Sequence, residues 1–251
     1  MVMIEDWLGA EGSERKRRMR LGLAGFFGLM LVIVGSIYLP ERLPQGGGGA
    51  DGTQVSRGPA QVDGFRSATF GMNEGAVRAA IATDFNIKPA ALASSIKIVE
   101  NKVERTRILV VRVPDLFQGA GMTEIGYVFG YQSKALIQVN LLWGTPLSPK
   151  VTADDLAIVT ANLMRYFASE GFESDHVRSN VRIAKGAVLV FQGSDAKGRM
   201  VQLVRRVEPL PAAKDASGKD TAEPAKRMTL RLAYIANPQA PDTFKIAKGA
   251  F

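Results

Sequence analysis

The stretch EIGYVFGY (residues 124–131), followed by QSK (132–134) and ALIQVNLLW (135–143), decides how the folded part of this chain is built. Ile125, Tyr127, Phe129 and Tyr131 recur at every second position, as do Ile137, Val139 and Leu141, with Gln138 and Asn140 between them. A period of two sends alternate side chains to opposite faces of a strand, so each arm is a strand with one buried side. The three polar residues between the arms join them as a β-hairpin.

Working outward, RILVVRV (107–113) is a β-branched run stopped by Pro114, and 96–99 reads as a shorter strand. A loop with Gly119 and Gly121 separates the first of these from the hairpin. Ahead of the strands the sequence spells a helix start. Asn73 is the N-cap, Glu74 places negative charge in the first turn, and Met72 is set to pack on Val77. Ala80, Ile81 and Phe85 continue the apolar face to Asn86, and 89–95 holds one more helical turn.

The same layout restarts downstream. Thr152 is a second N-cap with Asp155 as its capping-box partner, and Val151 is set to staple Leu156. Leu156, Val159, Leu163, Tyr166 and Phe167 follow at helical spacing up to Gly171. Strands are expected over 181–183, 187–192, 199–207 and 228–235. Residues 209–227, rich in Lys, Ala, Asp and Pro with Leu210 as the one large apolar side chain, read as a disordered loop. The fold class expected is therefore α+β, with two αβββ units at 64–147 and 148–251, each laying a helix on antiparallel sheet. The units stand in tandem or share one continuous sheet.

Residues 21–39, LGLAGFFGLMLVIVGSIYL, carry no charge. A helix of ~20 apolar residues crosses a ~30 Å hydrocarbon core, so this stretch is expected to be a single transmembrane helix. Arg15, Lys16, Arg17, Arg18 and Arg20 crowd its leading flank, and only Arg42 lies close behind. That asymmetry places a cytoplasmic tail at 1–20 and the body on the periplasmic side of the inner membrane. The length of the apolar run and the distance to the small residues Gly48 and Ala50 favour an uncleaved signal anchor. Residues 40–63, with four consecutive glycines and no aromatic residue, are a flexible linker.

The chain has 251 residues, 46% hydrophobic, with net charge +8 and no cysteine. The absence of thiols excludes disulfides, thiolate metal sites and a lipid-bearing cysteine. Excess positive charge suits an acidic partner or anionic head groups, whereas nucleic acid is not an expected partner outside the cytoplasm. His176, the single histidine, stands beside Glu173, Ser174 and Asp175, a grouping expected on the surface rather than at a catalytic centre. Asp154 and Asp155 are helix-start charges, and the glycines at 46–49 and 119–121 lack the strand-before, helix-after setting of a phosphate loop. No catalytic, cofactor-binding or metal-ligating residue is assigned, and no cofactor is expected.

Gly71-Met72-Asn73-Glu74, followed by Val77 and Ile81, resembles the helix start of BamE-like small envelope lipoproteins. The resemblance covers about a dozen residues. It implies helices packed on a three-stranded antiparallel sheet and a non-enzymatic role in an envelope assembly. This chain departs from that family in lacking the lipid-bearing cysteine and in having a second unit. The function expected is a non-catalytic, membrane-anchored envelope protein that binds or scaffolds a protein partner. The alternatives are an accessory subunit of a multi-subunit membrane complex and a cell-wall-acting enzyme using paired carboxylates.

Overall fold

The computed structural model describes residues 58–209 and 226–245. Helix α1 (Glu74–Asp84) begins where Asn73 accepts a hydrogen bond from the Ala76 amide at 2.9 Å, and Val77 and Ile81 are fully buried beneath it. Helix α2 (Pro89–Ser95) opens on a proline, whose missing N–H costs nothing in a first turn. Helix α3 (Ala153–Ala168) carries the full capping box. The Thr152 hydroxyl accepts from the Asp155 amide at 3.2 Å, and the Asp155 carboxylate accepts from the Thr152 amide at 2.9 Å.

A two-residue pair, β1 (Gly64–Phe65) and β2 (Ala68–Thr69), precedes α1. The remaining strands are β3 (Ile96–Asn101), β4 (Thr106–Pro114), β5 (Met122–Phe129), β6 (Leu136–Gly144), β7 (Val177–Ala184), β8 (Ala187–Ser194), β9 (Met200–Pro209) and β10 (Lys226–Ile235). They form one antiparallel sheet of eight strands in the order β3-β4-β5-β6-β10-β9-β8-β7. Each half of the folded region ends in a four-strand meander, preceded by α1 and α2 in the first half and by α3 in the second. The last strands of the two meanders, β6 and β10, pair along a seam from Gly144 opposite Thr229 to Gln138 opposite Ile235. Leu141 opposite Leu232 is its central pair. Gly144 ends β6 at φ 129°, where a side chain would collide with the Met228 carbonyl.

This architecture corrects the expected fold class. Each half supplies four strands, not three, and among the described residues the eight make a single large sheet with three α-helices instead of two αβββ units. Among the described residues no helix is long and apolar enough to cross a membrane. The stretch 21–39 on which that helix was expected lies outside them, as do the tail 1–20 and the body of the 209–227 segment. The ends of that segment are paired: Lys226 stands opposite Pro209 and Arg227 opposite Glu208.

Packing also reaches further upstream than Gly64. Ala60 and Val62 are buried, and the Val62 amide donates to Asp195 at 3.0 Å.

The helices lie on one face of the sheet, over Leu109, Val111, Ile125, Tyr127, Val139, Trp143, Leu203 and Leu230. The reading of one buried side does not hold for the central strands, because the second face is buried as well. Ile108, Val110, Val128, Leu142, Val204 and Ile235 lie there. Gln138 and Asn140 are buried among them and hydrogen-bond to each other at 2.8 Å, and Gln202 donates to Gln192 at 3.1 Å. Paired amides are tolerated in such a setting, although the buried Gln202 Oε1 has no hydrogen-bond partner among the described residues. The expected alignment of Ile137 with Val139 and Leu141 fails for a local reason. A register shift between Val128 and Phe129 pairs Phe129 with Leu136, so Leu136 joins the core and Ile137 is displaced.

Candidate binding cleft

Above the seam lies a cleft of about 440 Å³, within the ~300–1,000 Å³ usual for small-molecule sites. Its floor is the central seam pair, Leu141 and Leu232, joined by Tyr234 two positions along β10. Three segments build the walls. Helix α3 presents Asn162, Leu163 and Tyr166, whose spacing of three and four places them on one side. The β4–β5 loop delivers Leu116 and Phe117, and the β1–β2 turn delivers Phe65 and Arg66.

Local geometry fixes these side chains. The 115–121 loop closes on itself, with the Asp115 amide donating to the Gly121 carbonyl at 3.0 Å and the Ala120 amide to the Phe117 carbonyl at 2.9 Å. Phe117 then meets Trp143 edge-on at 5.6 Å. Arg66 sits at φ 53°, an uncommon conformation for a long side chain. Its guanidinium donates to the Asp84 carbonyl at 2.8 Å and lies 5.0 Å from the centre of the Phe85 ring. The Asp84 carboxylate is engaged elsewhere, accepting from the Ser67 hydroxyl at 2.6 Å. Phe65 packs on Tyr234 at 5.8 Å.

Burial raises the Tyr234 phenol pKa, and Tyr166 and Glu170 add to the effect. Burial likewise raises Tyr127, helped by Asp84 and opposed by Arg66. Both phenols therefore stay neutral and able to donate a hydrogen bond. The buried Tyr127 hydroxyl and Trp143 indole N–H have no hydrogen-bond partner among the described residues. Among the described residues the cleft is lined mainly by apolar side chains, with one cation, Arg66, and no carboxylate.

Several of the described carboxylates serve the frame. Asp63 pairs with Arg199, Glu74 with Arg78 and Arg107, and Glu124 with Arg112. Asp155 caps α3, and Asp242 accepts from the Gln132 and Ser133 amides at 2.9 Å. Glu173, Asp175 and His176 do come together, with potential ligand atoms within 4.8 Å of one another. All three are exposed around the short turn Ser174–His176, and no cleft residue is among them. Tyr127 and Phe129 belong to the core, whereas Tyr131 packs edge-on against Phe244 at 5.5 Å near the Arg105 guanidinium.

None of the cleft residues was assigned a site role from the sequence. Leu116 and Phe117 carried the one usable signal, two large apolar side chains inside a glycine-bearing loop. No protein-family model, curated protein or solved structure matches this chain.

Proposed function

We propose that this chain is a non-catalytic envelope protein, held at the inner membrane by residues 21–39, whose body binds an acidic protein partner on the periplasmic side. The observation that carries the reading is the outer surface of α3. Ile158 is 58% exposed and Tyr166 51% exposed, and spacing by fours aligns them with Asn162 beside the cleft. Large apolar side chains exposed next to a concave, apolar surface favour an interaction site over a solvated face. The chain's net charge of +8 favours an acidic partner through electrostatic complementarity. The lining supports binding over acid–base hydrolysis, because glycosidic chemistry needs two carboxyl groups ~5–10 Å apart at the substrate.

The test is a photo-crosslinking amino acid at position 158 of the full chain in its native membrane. The expected result is an adduct with a different protein that also co-purifies with the unmodified chain in a fixed ratio in mild detergent. An adduct only at twice the chain's own mass, or none, contradicts the reading. Alkaline phosphatase fused after Phe251 should be active; a stable but inactive fusion contradicts the periplasmic placement.

A further inference from the structure

We infer that the cleft over the seam is a binding site for an amphipathic acid, a molecule with an apolar chain or ring and one anionic head. This does not rest on the protein-partner reading, which starts from the exposed Ile158, although Asn162 and Tyr166 border both surfaces. The apolar body would lie on Leu141 and Leu232 between Phe65, Phe117 and Leu163, in a space of about 440 Å³. That space is bounded by the fixed geometry of two strands and a closed loop, so it is pre-formed.

The head group is specified by charge. Among the described residues Arg66 is the only charged one in the lining, and it forms no ion pair with any described carboxylate. Its backbone geometry and its bond to the Asp84 carbonyl hold it at the rim, while its remaining donors suit a carboxylate or phosphate. Tyr234, whose phenol burial keeps neutral, lines the same cleft. An apolar depth with a cation at the mouth discriminates against neutral apolar molecules and against small hydrophilic anions alike. A free fatty acid and an anionic membrane lipid share this chemistry.

Trp143, in contact with Phe117 of the wall, supplies the readout. The full chain bearing Trp7→Phe, so that Trp143 is its single tryptophan, would be placed in nanodiscs of zwitterionic lipid. One arm titrates a dibrominated fatty acid and the corresponding alcohol; the other replaces part of the bilayer with a brominated anionic phospholipid. Bromine quenches indole at short range.

Saturable quenching of Trp143 by the free acid, with the alcohol weaker, supports the site and names the free acid as its source. Saturable quenching only by the anionic phospholipid supports the site and names the bilayer. Arg66→Gln should weaken the acid about three- to tenfold and leave the alcohol unchanged, the size expected of an exposed charge contact. Asn162→Phe, a change at an exposed position, should narrow the cleft and weaken both ligands while leaving circular dichroism unaltered. Absence of saturable quenching in both arms overturns the proposal. So does an Arg66→Gln variant that binds acid and alcohol as the parent does.

Discussion

Asp195 shows how one side chain ties distant chain together. Its Oδ1 accepts from the Lys197 and Arg199 amides at 2.9 Å, closing the β8–β9 turn, and its Oδ2 accepts from the Val62 amide. Asp195→Ala leaves three backbone donors without this acceptor and should cost ~1–3 kcal/mol in urea unfolding followed by Trp143 fluorescence. A loss near zero would mean that the Val62 segment is not packed against the turn. The caps of α1 and α3 were legible in the sequence because donor and acceptor are three residues apart. The Asp195 contact was not, because its partner is 133 residues away and no local pattern marks it.

The Thr152 cap carries a pH signature. The Thr152 backbone bond, then its hydroxyl, holds the Asp155 carboxyl below its ordinary pKa. The contribution of that bond is full above the unfolded carboxylate pKa and is lost as pH falls through the lowered, folded one. Thr152→Ala should cost ~0.5–2 kcal/mol at neutral pH. Asp155→Asn, which cannot ionise, should flatten this part of the acid dependence of unfolding; an unchanged acid limb in that variant would contradict the capping box.

At the scale of elements, helix starts and strand runs were legible because capping and periodicity are local. The second sheet face was not. Gln138 and Asn140 alternate with apolar residues as a solvated face would, yet they are buried and bonded to each other. The bulge that displaces Ile137 is likewise a product of strand pairing, not of the strand's own sequence. A sheet buried on both faces calls for cover on both, and the described helices supply one layer. Leu142, on the second face, is buried like its neighbour Leu141 on the first. Leu142→Ala should therefore cost ~2–5 kcal/mol, the range for a large-to-small change in a core. A cost below about 0.5 kcal/mol, ordinary for a surface position, would show that this face meets solvent.

For the whole molecule, the sequence displayed the repetition of helix and strands but not how the halves join. Each half ends in a strand of similar apolar character, and nothing local distinguishes pairing within a half from pairing between halves. The cleft was illegible for the same reason, since its floor exists only where Leu141 meets Leu232 across the seam. Joining the meanders by β6 and β10 leaves β3 and β7 at the edges and pairs residues 85 to 97 positions apart. Amide hydrogen exchange of the full chain, resolved by mass spectrometry, tests this join most directly. Peptides covering 138–144 and 229–235 should exchange as slowly as those from β5 and β9, through the same global opening. Fast exchange along the seam, with each meander protected separately, would contradict a single eight-stranded sheet.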